Sequence, residues 1–241
     1  MNTNSLKIKI YKFIFYYFER FTSPYFFNKI LRLEGFDIGD GTIFYSPKSL
    51  TLDRERPWMM KIGSYCKITT GVTILTHDYS RSVLRRVYGE IIGEAGKTII
   101  GNNVFIGVNS VILMGSNIGN NVIIGAGSVV GGNIPDNVVV AGNPAKIVRT
   151  LDEHYEIRKK KTVQEAVLYF KAYKDKYGTW PPDNKCGPFF PLFANRESFN
   201  YDDPRLICNG DNVEEIIRDF RLSKPVFSSY EEFIDYVTKC K

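Results

Sequence analysis

"IGNNVFIGVNSVILMGSNIGNNVIIGAGSVVGGNIP", residues 100–135, divides without remainder into hexads, and each hexad opens on an aliphatic residue. The phase continues upstream in "IGSYCK", "ITTGVT" and "ILTHDY", so the first positions are Ile62, Ile68, Ile74, Ile100, Ile106, Ile112, Ile118, Ile124 and Val130. Glycine recurs at the second position, and the fifth is usually small: Cys66, Val72, Val104, Ser110, Ser116, Val122 and Ser128. A period of six has a direct physical reading. Three short strands form one coil, the first residue of each hexad fills a prism-shaped core, and the corners take small residues because the backbone turns sharply there. A single coil cannot cover its own inner face, so several must stack. A sandwich of short strands would alternate with period two and has no reason to repeat every six.

"IGDGTI" from Ile38, with Phe44 and Leu50, keeps the phase and starts the coils near residue 36; Arg54, Glu55 and Arg56 fall outside it as a bulging turn. The hexads, followed by "NIPDNVVVAGNPAKIVR", resemble the hexapeptide-repeat acyltransferases, in particular the galactoside, maltose, xenobiotic and surface-polysaccharide O-acetyltransferases; "GNNVFIG" and "THDYS" are similar to both the polysaccharide and the xenobiotic groups. The resemblance covers roughly residues 36–150. It implies a mainly β fold, a left-handed parallel β-helix, which the period alone does not specify. The expected organisation is an N-terminal helical cap over 1–35, the β-helix over 36–150 with a loop insertion at about 78–97, and an α-helical extension over 151–241.

The rhythm breaks after Ile74. The next in-phase residue is Ile100, so "DYSRSVLRRVYGEIIGEAGK" leaves the coil as a loop, and His77 stands at its root. A neutral imidazole there suits removal of a proton from an acceptor hydroxyl, because histidine titrates near neutrality. The resemblance points the same way, since the family's catalytic histidine lies at the mouth of such a loop. Asp78 is a candidate to orient the imidazole, although adjacent residues of an extended chain point to opposite sides; a backbone carbonyl of a neighbouring coil is the alternative.

In the resembled family the acyl donor is acetyl-CoA, a co-substrate bound along the coils in a groove between two subunits of a trimer. Carried over, the contacts fall at Val108, Asn109, Ala126, Gly131, Gly132, Lys146 and Arg149. Some relatives have lysine where this chain has Gly132. Small residues let a ligand approach the main chain, and corner geometry asks for them as well; the two cations suit phosphate.

Composition is ordinary for a globular chain: 241 residues, 44% hydrophobic and 24% charged, with a formal charge of +6. Cys66, Cys186, Cys208 and Cys240 are scattered without a CxxC pair, which suggests neither a zinc knuckle nor a disulfide framework and fits a reducing cytoplasm. Two histidines cannot supply the three imidazoles of a metal-dependent β-helix, and the 35 residues ahead of the repeats are too short for the nucleotide-binding domain of a nucleotidyltransferase. The reading is therefore an acetyl-CoA-dependent O-acetyltransferase with no metal, no acyl-enzyme and no nucleic-acid partner, acting as a homotrimer on a sugar acceptor. A xenobiotic acetyltransferase and a non-catalytic binding scaffold are the alternatives.

At the N-terminus Leu6, Ile10, Phe13, Tyr17 and Phe21 share one helical face beside Lys7, Lys9 and Lys12. Two roles fit, a cap on the open β-helix and contact with a membrane surface, and the cap is preferred. Past residue 150, Thr162 with Glu165, Asn212 with Glu215 and Ser229 with Glu232 have capping-box spacing and predict three helices. "RKKK" at 158–161 reads as a solvated run, and "YGTWPPDNKCGPFFPLFANRESFNYDDP" as an aromatic, proline-rich loop.

Overall fold

The computed structural model describes residues 3–18, 24–200, 203, 205 and 208–240; side chains at 3–5, 16–18, 24 and 25 are outside the description. Phe21, the side chain of Tyr17, and Tyr201, Asp202 and Pro204 of the aromatic loop therefore lie outside the described residues. The chain divides into two units, residues 1–153 and 154–241.

In the first unit the strands β1–β15 form three sheets. The first contains β1 (Asp37–Ile38), β4 (Met60–Ile62), β7 (Thr98–Ile100), β10 (Asn117–Ile118) and β13 (Asn133–Ile134). The second contains β2 (Ile43–Phe44), β5 (Lys67–Ile68), β8 (Phe105–Ile106), β11 (Ile123–Ile124), β14 (Val138–Gly142) and β15 (Ala145–Thr150). The third contains β3 (Thr51–Leu52), β6 (Thr73–Ile74), β9 (Val111–Ile112) and β12 (Val129–Val130). The chain visits the three sheets in rotation, every pairing but β14–β15 is parallel, and the coils wind as a left-handed parallel β-helix.

The register shows why the period is six. Ile100 lies over Ile118, Ile106 over Ile124, and Ile112 over Val130, one coil of eighteen residues apart. All nine first-position residues are essentially inaccessible, and each stacks on its counterpart in an adjacent coil. Such a side chain contributes about 1.5–3 kcal/mol through burial. The small fifth positions are equally buried, and their hydroxyls bond to corner carbonyls: Ser116 Oγ donates to Leu113 O at 2.6 Å and Ser128 Oγ to Gly125 O at 2.6 Å. Buried polar atoms are thereby paired within the coil.

Two expectations need correction. The inward position of β3 is Leu52, paired with Ile74, rather than Leu50, because a 3-10 turn at Pro47–Ser49 lengthens that side of the first coil. The open end is closed by α2 (Pro24–Leu33), whose Phe27, Ile30 and Leu31 are buried and which packs on β1 and β2. The lysine-bearing helix α1 (Thr3–Phe18) packs on α2 instead, through Tyr11 against Phe26 and Phe15 against Phe27.

In the loop lies α3 (Arg81–Tyr88), and regular pairing resumes at Thr98. The second unit is built from most of α4 (Leu151–Tyr177), with α5 (Val213–Leu222) and α6 (Tyr230–Lys239), around an aromatic core that includes Phe170, Phe193, Phe199 and Phe233. Asn212 and Ser229 cap α5 and α6 as their spacing predicts. Thr162 does not cap. The helix already starts at Thr150, whose hydroxyl accepts from Glu153 N while Glu153 Oε2 accepts from Thr150 N, so Thr162 falls inside α4 and Glu165 pairs with Arg158.

Truncating one stacked residue should leave a void that neighbouring coils cannot close. Ile106→Ala is expected to lower unfolding free energy by about 2–5 kcal/mol, measured by urea denaturation.

Candidate active site

His77 lies just past β6, where the chain leaves the third sheet for the loop, and its side chain is about one-quarter exposed. The loop returns beside it: Gly96 N donates to Thr76 O at 2.9 Å, Asp78 N donates to Glu94 Oε1 at 3.2 Å, and Arg56 donates to Glu94 O at 3.0 Å. Both roots of the excursion are therefore tied to the coils. The imidazole sits on a stiff support beside a segment without ladder pairing.

The partner of the imidazole is Asp53. Its Oδ2 lies 2.5 Å from His77 Nδ1 and also accepts from the buried Thr76 hydroxyl, while its Oδ1 accepts from Glu55 N at 3.2 Å. The carboxylate is almost fully buried. Burial by itself would raise its pKa, but the hydrogen bonds from Thr76 and His77, the charge of the imidazole and the Glu55 amide outweigh burial and hold it below 3.8. An ionised Asp53 accepts only, so Nδ1 carries the hydrogen. Nε2 is then the unprotonated nitrogen of the neutral ring and can take a proton.

Asp78 does not orient the ring. Its carboxylate accepts from Ser80 N at 2.7 Å, and the side-chain and backbone hydrogen bonds from Ser80 are the main causes lowering its pKa. The sequence reading missed Asp53 because the surplus in the Pro47–Ser49 turn hides its register. Once β3 is aligned on β6, Asp53 directly follows an inward residue, Leu52, one coil before Thr76 and His77. That alignment is the signal that was available.

The remaining sequence candidates fall into three groups. Val108 and Asn109 lie on the corner leading into β9, and Ala126 on the corner leading into β12; all three are exposed. Asn109 adopts φ 57°, and its Oδ1 occupies the space a side chain on Gly71 would need, 2.1 Å from where that Cβ would lie, so it packs on the previous coil. Gly131 and Gly132 follow β12 on the opposite edge of the same sheet, the edge that carries His77. Gly132 has φ +73°, a conformation that disfavours the lysine found in some relatives.

Lys146 and Arg149 are both on β15. They are three apart, which on a regular strand would put them on opposite faces, but a bulge shifts the register between Val139 and Val140. Lys146 pairs with Ala141 and Arg149 with Val139, the two neighbours of inward-pointing Val140, so both cations lie on the outer face of the second sheet. One chain thus spreads the candidates over two edges of the third sheet and the outside of the second. Cys66 is fully buried, and burial pushes its thiol up, which suits a structural residue and not a nucleophile.

The stabilising part of Asp53 has a defined pH range. Because its folded pKa lies below 3.8, the unfolded chain takes up the proton first as acid is added; the contribution is full above that value and is lost as pH falls through the folded value. Urea unfolding from pH 7 to pH 3 should show a loss of stability at the acid end that is smaller in Asp53→Asn. An identical acid dependence in both proteins would contradict the assignment.

Comparison with known proteins agrees with this architecture. The family described as bacterial transferase hexapeptide (six repeats) matches residues 97–132. Protein CapG of Staphylococcus aureus is 44% identical over 131 residues, covering 54% of this chain and 74% of CapG. Galactoside O-acetyltransferase of Escherichia coli (strain K12) is 36% identical over 143 residues, 58% of this chain and 62% of that enzyme. A solved galactoside acetyltransferase in complex with coenzyme A is 25% identical, covers 64% of this chain and 83% of that chain, and superposes with a TM-score of 0.42. By its repeats, its coils and its relatives, the chain belongs to the hexapeptide-repeat acetyltransferase family.

Proposed function

We propose that this chain transfers an acetyl group from acetyl-CoA to a hydroxyl of a sugar acceptor, a precursor or segment of a surface polysaccharide, in the cytoplasm. The observation that carries the reading is the buried Asp53 carboxylate on His77 Nδ1, which leaves Nε2 as the basic nitrogen at the edge of a loop. Membership of an acetyltransferase family supports the acyl donor, and the 36% identical galactoside O-acetyltransferase supports a sugar hydroxyl as acceptor.

In this reading the acceptor hydroxyl gives its proton to Nε2 as its oxygen attacks the thioester carbonyl. The C–O ester bond forms, the C–S bond breaks, and the imidazolium returns the proton to the departing thiolate. Asp53 stays ionised throughout and stabilises the imidazolium, while Thr76 and Glu55 hold the carboxylate in place. A thioester is already activated, so the principal demands are the base and a donor for the developing oxyanion. A coil amide near exposed Val108 is suited to that role.

Val108 and Ala126 lie across the third sheet from His77. A site using all three is most simply completed by two protomers, each lending one edge. A homotrimer with sites between subunits is the assembly we propose, supported by the resemblance to the family. The exposed arm at Tyr79, Val83, Val87, Tyr88 and Ile91 supplies apolar surface for such contacts. Lys146 and Arg149 on one outer face suit the phosphates of the donor.

The assay is thiol release from acetyl-CoA with sugar and nucleotide-sugar acceptors. His77→Ala should lose about 10²–10⁴ of turnover while keeping a cooperative unfolding transition, and Asp53→Asn should also fall, whereas Asp78→Ala should stay near wild type. Wild-type turnover in His77→Ala, or no calorimetric binding of coenzyme A, would favour a non-catalytic scaffold.

Lys146→Ala combined with Arg149→Ala should raise KM for acetyl-CoA by roughly ten- to a hundredfold, the value of one or two charge-assisted hydrogen bonds, and change kcat little. Light scattering should give three times the 27.6 kDa chain mass. A monomer active at the same rate would contradict the shared site.

A further inference from the structure

Helix α1 has two different faces. Ile8, Tyr11 and Phe15 turn towards the body of the unit, and Lys12 Nζ holds Glu34 at 2.5 Å, which fixes the rotation of the helix. That rotation leaves Leu6, Ile10 and Phe13, spaced i, i+4 and i+7, exposed by 53%, 47% and 59%. Lys7 and Lys9, both exposed, flank this stripe on either side, and α1 contains no acidic residue. Capping does not account for the stripe, because α2 closes the core.

Beside it opens a cavity of about 760 Å³ between α1, α2 and the first coil. Its walls include Phe13, Phe15, Phe27 and Leu52, and its cationic lining is Lys12, Lys48 and Arg54. Glu34 lies against Lys12 and Arg54. An apolar well next to an apolar stripe flanked by Lys7 and Lys9 is complementary to an anionic headgroup and its first acyl carbons. Among the described residues no helix is long and apolar enough to cross a membrane.

We propose that the outward face of α1, with the cavity beside it, is a docking surface for an anionic lipid bilayer, on which the helix lies in the interfacial plane. This goes beyond the catalytic reading and does not depend on it.

Vesicle co-sedimentation of the full chain tests it. Binding is expected to vesicles containing phosphatidylglycerol and to be far weaker with phosphatidylcholine alone, and to decline as salt shortens the screening length from about 10 Å to about 3 Å between 0.1 and 1 M. Leu6→Ser/Ile10→Ser/Phe13→Ser should abolish it while the circular-dichroism spectrum shows the chain still folded. Lys7→Gln/Lys9→Gln should weaken it on the order of fivefold per lysine. Absence of wild-type binding to any vesicle, or equal binding by the triple variant, overturns the proposal. A triple variant that changes assembly mass while the wild type ignores vesicles overturns it in favour of a contact between copies. Acetyl transfer to a soluble acceptor should be the same in the triple variant, so failure here is distinguishable from failure of the catalytic reading.

Discussion

One packing constraint governs the first unit: every corner-to-corner stretch must deliver a single aliphatic side chain to the axis. Ile100, Ile118, Ile106 and Ile124 each lie on a counterpart in the next coil with no accessible surface to spare. Since strands β1–β13 are only two or three residues long, their few backbone hydrogen bonds cannot hold a coil alone, and burial of the stacked column does most of the work. The hidden serines at the corners are tolerated because each finds a carbonyl within its own or the adjacent coil.

A scaffold this regular makes departures from it informative. Two extra stretches leave the prism on the side of the third sheet, one after β3 and one after β6, and they meet: the first brings Asp53 and Arg56, the second His77 and Glu94. Neither stretch orients an imidazole alone. A nearly buried carboxylate would be costly without partners, yet Thr76, His77 and the Glu55 amide supply three donors, enough to keep it charged. The chemistry proposed for His77 depends on that compensation, because an ionised Asp53 is what selects the tautomer.

The two ends of the chain illustrate how similar local patterns reach different fates. Both N-terminal helices carry aromatic and basic residues, but only α2 inserts Phe27 and Leu31 into the first coil, and Phe27 meets Phe44 edge-on at 5.2 Å. Further on, three capping-box spacings looked alike, and only two cap a helix. At Thr162 the helix had already been started twelve residues earlier by Thr150, and a threonine inside a running helix has no unpaired first-turn amides to satisfy.

The sequence by itself determined the β-helix, its coil length, the place where the coil is interrupted and the histidine at that place, because a period of six is a local property repeated along the chain. Family resemblance added the expectation of an acetyl-CoA donor and the direction of winding. The bulge that puts Lys146 and Arg149 on one face, the identity of the residue that orients His77 and the choice of capping helix were decided only in three dimensions. Each depends on register between segments far apart in the chain, and a short turn such as Pro47–Ser49 shifts that register without leaving a mark in the periodicity.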